Sequence, residues 1–185
     1  MIFFTSDTHF NHKAIISYCS RPFESVEEMN DRLIDNWNQV VKPSDTVYHL
    51  GDFALYCNDV EQIRKKLNGK INLIQGNHDR SKIGKYFDWF GPQLRINYKK
   101  QDIILNHYPL LTYAGCYTNT WNLFGHVHTL KVPNGNPDTT RMNYLLPLQY
   151  DVGVDNNNFT PISYKEVKEK IEYQKNESLD RTVPR

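Results

Sequence analysis

Ile71-Asn72-Leu73-Ile74-Gln75-Gly76-Asn77-His78-Asp79 is a short apolar run that stops at a glycine and opens into oxygen and imidazole donors. A run of this kind, bounded by turn residues and too short for a helix, reads as a buried strand. Four other segments share the design. Ile2 to Ser6 ends in Asp7-Thr8-His9, and Thr46 to Leu50 ends in Gly51-Asp52. Ile103 to Asn106 ends in His107, and Trp121 to Phe124 ends in Gly125-His126-Val127-His128. In an open α/β sheet the carboxyl ends of the strands face one crevice, so these residues are predicted to converge although they lie far apart in sequence. Glycine before Asp52, Asn77 and His126 fits a chain that turns sharply out of a strand. A lone His or Asp after a strand is ordinarily a turn or capping residue. Five ends that supply His, Asp and Asn together point instead to donors that bind transition metals through imidazole and hard oxygen.

Between the strands, Ser25-x-x-Glu28 and Ser163-x-x-Glu166 are capping boxes that open helices. The first helix is predicted to run to about Val41, with Val26, Met29, Leu33, Ile34, Trp37 and Val41 on the face that docks on a sheet. Another is predicted over Val60 to Leu67 and closed by Gly69. A further helix after Ser81 turns Ile83, Tyr86, Phe87 and Phe90 inward. The last is expected to end near Tyr173, which gives a single domain over residues 1–175 and a polar tail over 176–185.

Composition narrows the function classes. A chain of 185 residues buries a sizeable core as one domain. A formal net charge of +1 with 23% charged residues gives no strong field of one sign, which disfavours stable nucleic-acid binding. No stretch is long and apolar enough to span a membrane, and Ile2-Phe3-Phe4 is too short for a signal sequence. Cys19, Cys57 and Cys116 are an odd set without C-x-x-C spacing, as expected of free thiols in a reducing, cytoplasmic setting.

The ordered blocks D-x-H, G-D, G-N-H-[DE], H and G-H-x-H, here from Asp7 to His128, resemble those of the calcineurin-like metallophosphoesterases. Ser6 to Phe10 and Arg21 to Phe23 are most similar to the short bacterial and phage members of that superfamily. The resemblance implies an α/β (α+β) fold, a four-layer αββα sandwich of two mixed sheets with helices outside. It implies two divalent metal ions, one held by Asp7, His9, Asp52 and His128 and the other by Asp52, Asn77, His107 and His126, with Asp52 bridging. A carboxylate has two oxygens for two cations, whereas one imidazole nitrogen serves one cation, in keeping with that division. Nitrogen and oxygen donors without thiolate suit Mn²⁺ first, with Fe, Zn²⁺ and Ni²⁺ compatible.

The implied reaction is hydrolysis of a phosphate ester by a water or hydroxide bridging the two metals. His78 is implied as the catalytic imidazole that faces the leaving oxygen. In the protein phosphatases of the superfamily an Asp three residues after the bridging Asp orients this His and an Arg follows. Here Leu55 and Tyr56 stand in those places, so Asp79 is the candidate partner of His78 and a phosphoprotein phosphatase is disfavoured. Thr129 stands where many relatives have Gly.

Substrate contacts are expected from His12, at a helix start, and from Arg80, whose fork of donors suits phosphate; Arg21 is a weaker candidate. His49 lies inside a strand and is expected to pack away from the metals. Tyr108, Tyr113 and Tyr117 lie in a loop where a nucleobase could stack or where aromatic packing alone operates. The Pro- and Gly-bearing segment 130–141 is either a pocket wall or a solvent loop. The substrate expected is a small or nucleotide-like phosphodiester. A phosphomonoester is the alternative, and a non-catalytic scaffold or a nuclease is less favoured.

Overall fold

In the computed structural model, residues 1–55, 58–128 and 145–180 are described, with side chains through 177. The expectations for Tyr56, Thr129 and segment 130–141 therefore fall outside the described residues. Two mixed sheets with flanking helices make an α/β fold. The first sheet contains β1 (Ile2–Thr5), β2 (Thr46–His49), β3 (Lys70–Ile74), β4 (Trp89–Gly91) and β9 (Ile162–Ser163), in the order β4-β3-β2-β1-β9. Only β9 runs antiparallel to its neighbour in that sheet. The second sheet is β5 (Gln93–Tyr98), β6 (Gln101–Asn106), β7 (Trp121–Phe124) and β8 (Gln149–Asp151), in that order, with β5 antiparallel to β6.

Alternation along each strand assigns side chains to two cores. Phe3, Val47, Ile71 and Leu73 face helices α1 (Lys13–Tyr18), α2 (Val26–Val40) and α3 (Val60–Lys66), packing with Ile15, Met29, Leu33, Trp37 and Ile63. Phe4, Leu50 and Ile74 face the second sheet and meet Ile103, Leu105 and Leu123. Helix α4 (Tyr164–Asp180) adds Val167 and Ile171 to this second core and lies against β1, β8 and β9. Parallel strands buried on both faces need near-continuous apolar sequence, which is why the strand runs stand out.

The capping box at Ser163 closes in full, while that at Ser25 forms its serine half and Glu28 instead takes the Glu24 N–H. Ser25 Oγ accepts the Glu28 N–H, and Ser163 Oγ accepts the Glu166 N–H while the Glu166 carboxylate takes the Ser163 N–H. Helix α4 continues to Asp180, past the expected end at Tyr173. The segment after Ser81 is a 3₁₀ helix (Ser81–Tyr86), and Phe90 belongs to β4 instead. Gly84 lies against the Phe90 ring there, with no room for a Cβ.

Strand β5 is absent from the sequence reading. It pairs with β6 through a two-residue turn, Lys99-Lys100, both in the left-handed region at φ 51° and 66°. Tight hairpins ordinarily announce that conformation with Asn-Gly or Asp-Gly. Two lysines hide it.

Candidate functional site

The carboxyl ends of β1, β2, β3, β6 and β7 meet in one place, and the seven expected ligands come with them. Two groups of donors form there: Asp7, His9 and His128, and Asp52, His107 and His126, each with its ligating atoms within 4.8 Å of one another. His9 Nε2 lies 3.6 Å from Asp52 Oδ2, which is itself 3.5 Å from His107 Nε2. Asp52 thus stands between the groups. Asn77 joins the second, with Oδ1 3.0 Å from His107 Nε2.

Backbone conformation makes this convergence possible. Asp7, His9, Asp52, His126 and His128 all have positive φ, between 44° and 71°. The left-handed region costs a non-glycine residue about 1–3 kcal/mol, and it persists only where surroundings over-determine it. Here the β1–β2 ladder continues past the strand ends, with Asp7 N–H donating to Gly51 O, His9 N–H to Asp52 O and Phe10 N–H to Phe53 O. The flanking glycines divide in their reasons. Gly51 has φ 99°, a conformation requirement as the sequence predicts. Gly76 and Gly125 do not have positive φ; a Cβ there would overlap Asp52 in one case and Ser6 and Asp7 in the other.

Hydrogen bonds fix the histidine tautomers. His107 Nδ1 is 2.8 Å from the Leu50 carbonyl, so Nδ1 carries the proton and Nε2 presents a lone pair. His128 Nδ1 is 2.7 Å from Asp155 Oδ2, so there too Nδ1 carries a proton. Around Asp52 the donor atoms His107 Nε2, Asn77 Oδ1 and Asp52 Oδ2 then face one another. Asp7 Oδ1 and His9 Nε2 are buried with no hydrogen-bond partner. Buried acceptors left unpaired cost free energy unless a cation joins them.

Protonation equilibria carry the same signature. Burial pushes the Asp52 carboxyl up, against His107 and reinforced by Asp7. Burial holds His9 well below its ordinary value, with His128 and Arg21 adding to the effect, so its imidazole is neutral and ligand-competent. His126 is lowered by burial and then by His107. His128 goes the other way. Burial opposes its charged form, yet the hydrogen bonds to Asp155 and Cys19 and the charge of Asp7 lift it to about 11. A proton is held where a cation would be held, and the residues present fit divalent metal ions.

The second-line candidates separate. His78 has its N–H on Asp52 Oδ1 at 2.8 Å and its Nε2 3.9 Å from Asp52 Oδ2, with the ring 39% exposed toward solvent. His12 is close by, its Nδ1 3.2 Å from His9 Nδ1 and its ring centroid 5.9 Å from that of His78. With His9 Nε2 given to a metal ion, His9 Nδ1–H would donate to His12 Nδ1 and leave His12 with Nε2–H as a donor. Tyr108 edges against the His107 and His126 rings and is 44% exposed. Tyr117 is exposed, whereas the Tyr113 hydroxyl is buried.

Four expectations change or sharpen. Asp79 does not bond His78: its carboxylate accepts N–H groups from Asp52, Phe53 and Gly76 at 2.8, 3.0 and 2.9 Å, which makes it a clamp between two ligand turns. Arg80 is exposed, precedes the 3₁₀ helix and bonds no site residue through its side chain. Arg21 is buried and bonded in a bidentate pair with Asp155, so it cannot grip substrate. His49 packs away from the donors as predicted, with Nε2 2.9 Å from Thr8 Oγ1. Asp155 itself was missed, although Tyr150-Asp151-Val152-Gly153-Val154-Asp155 repeats the pattern of an apolar run broken by glycine and ending in a carboxylate.

Comparison with known proteins agrees with this arrangement. The chain is 40% identical to the uncharacterised protein MJ1445 of Methanocaldococcus jannaschii, over 88% of this chain and 86% of that protein. It is 28% identical to the gene 66 protein of Mycobacterium phage L5, over 68% of this chain and 76% of that one. Among solved structures it is similar to AQ665 of Aquifex aeolicus, a protein of unknown function, with TM-score 0.69 and 29% identity over 91% of this chain and 98% of that one. The family model for the calcineurin-like phosphoesterase superfamily domain matches residues 1–147, a span that holds every donor segment at the strand ends. By that match the chain belongs to the calcineurin-like phosphoesterase superfamily, and it is a phosphoesterase.

Proposed function

We propose that this chain hydrolyses small or nucleotide-like phosphodiesters with two divalent cations, Mn²⁺ foremost and Fe, Zn²⁺ or Ni²⁺ compatible. Asp7, His9, Asp52 and His128 would hold one ion, and Asp52, Asn77, His107 and His126 the other. The observation that carries this reading is the meeting of imidazole, amide and carboxylate donor atoms around Asp52, with His107 Nε2 3.5 Å from its Oδ2. When bound, two such ions supply Lewis acidity toward phosphoryl oxygens and acidify a water so that it attacks phosphorus at neutral pH.

The chain's own side chains supply the remainder. His78, fixed through its N–H by Asp52, holds a proton at its exposed ring for the leaving oxygen. His12 offers Nε2–H to a phosphoryl oxygen, and Tyr108 offers a ring edge beside His126. A phosphomonoester is the alternative substrate for the same donor set.

The test is hydrolysis of bis-aryl and mono-aryl phosphates by chelator-treated protein reloaded with Mn²⁺. Faster turnover of the diester is expected. Faster turnover of the monoester transfers the assignment to a phosphomonoesterase, and two bound ions with no hydrolysis of either would leave a scaffold.

A further inference from the structure

We propose that Arg21 and Asp155 are a positioning pair for the cation site of Asp7, His9, Asp52 and His128, joining two ligand segments that are far apart in sequence. The inference rests on the metal-centre reading above and adds residues outside the ligand set.

The guanidinium presents five N–H donors in a rigid fork, and all five have acceptors. Nε donates to Asp155 Oδ1 at 2.8 Å and Nη2 to Asp155 Oδ2 at 2.8 Å. The other Nη2 proton goes to the Asp7 carbonyl at 2.7 Å. Nη1 donates to the Thr8 carbonyl at 3.0 Å and contacts Met29 Sδ at 3.4 Å. Asp7 and His9 have left-handed φ of 57° and 49°, and Arg21 binds the carbonyls of Asp7 and Thr8 within that turn. One cation therefore holds the strained turn that aims Asp7 and His9.

On its other side the same cation orients a ligand from β7's end. Asp155 Oδ2 accepts the His128 Nδ1 proton at 2.7 Å, which sets the tautomer and turns Nε2 toward Asp7 Oδ1, 3.9 Å away. A carboxylate behind a ligating imidazole fixes its ring and raises its basicity, and loss of such a partner typically weakens metal affinity about 10–100-fold. A buried ion pair alone is weak evidence for stability. Its meaning here comes from where it attaches. The second group has its own support at His107, held by the Leu50 carbonyl, and its link to the pair is indirect, through the His126 N–H on Asp7 Oδ2 at 2.9 Å. Loss of the pair should therefore weaken one site and spare the other.

The experiment is calorimetric titration of metal-free full-length protein with Zn²⁺, with ¹⁵N-histidine spectra recorded in parallel. Wild type is expected to take up two ions. Asp155→Asn, nearly isosteric, is expected to weaken one of them about 10–100-fold and the other less than threefold. The weakened step should be the one that shifts the His9 and His128 Nε2 signals. Arg21→Lys, which keeps the charge and loses the fork, should give the same selective loss, and it carries the test if Asp155→Asn does not refold. Equal weakening of both sites, or none, in protein of native fold would overturn the positioning role. Wild type that binds no ion would overturn the metal-centre reading itself, a result distinguishable from the other.

Discussion

His107 Nε2 faces Asp52 Oδ2 across 3.5 Å while its Nδ1 proton is held by the Leu50 carbonyl, so two lone pairs confront each other in a buried setting. His9 Nε2 approaches the same oxygen at 3.6 Å. By these two distances Asp52 lies between the donor groups. Asp52→Asn removes the charge and half of the acceptor capacity that two cations would divide. Metal analysis should find the variant below two ions per chain. Turnover should drop by about 10³-fold or more, the equivalent of several kcal/mol of lost charge stabilisation. Full metal content in Asp52→Asn would remove its bridging role.

The His78 ring is 39% accessible, while Asp7, His9, Asp52 and His107 beside it are buried. His78→Ala should lower turnover about 10²–10⁴-fold, the usual contribution of a general acid, with both ions retained and little change in melting temperature. An unchanged kcat would take His78 out of the mechanism.

The parts of this molecule that were legible in its sequence are those with a local signature. Strands β1, β2, β3, β6 and β7 are apolar runs with a punctuated end, and α2 opens on Ser25-x-x-Glu28. The punctuation also marked the donors. Apart from Asp155, which ends a marked run, what escaped has no local mark. β5 alternates half-buried and exposed residues and turns on Lys99-Lys100, so neither hydrophobicity nor turn chemistry betrays it. Arg21 and Asp155 are 134 positions apart, and their pairing depends on the β1 and β8 ends being brought side by side, where Ser6 bridges Gly153. The role of Asp79 failed for another reason. A polar residue beside a catalytic one can point into the site or back into the turn, and three backbone N–H groups decide for the turn.

That clamp gives Asp79→Ala a specific consequence. Its removal leaves the N–H groups of Asp52, Phe53 and Gly76 without their acceptor in a buried turn, each worth about 1–3 kcal/mol when unsatisfied. Burial pushes the Asp79 carboxyl up to about 6 despite those bonds. Denaturant unfolding should report a loss of about 3–5 kcal/mol. Native stability together with a selective fall in turnover would restore Asp79 as the partner of His78.

His49 offers a test through pH. It is fully buried, stacked near Trp37 and edged by Phe53, and burial lowers its pKa to about 3 from an ordinary 6.5. Gly51 N–H points at Nδ1, which leaves the proton on Nε2 for Thr8 Oγ1, and the Thr8 hydroxyl donates onward to Phe53 O. A second proton has no place in this chain. Between pH 6.5 and 3 the unfolded protein therefore binds a proton that the folded one refuses. The contribution of His49 to stability is complete above pH 6.5 and is lost as pH falls, by about 2 kcal/mol between pH 7 and pH 5. In metal-free protein His128, lifted to about 11, pulls the other way over the same range, and the lowered His9 and His126 and the raised Asp79 also enter the raw slope. The difference between wild type and His49→Gln isolates the term. Urea unfolding of both proteins in chelator should show their stability gap change by about 2 kcal/mol from pH 7 to pH 5, against the wild type. A gap that stays constant would mean that His49 takes up its proton in the folded state and that the strand around it opens to admit water.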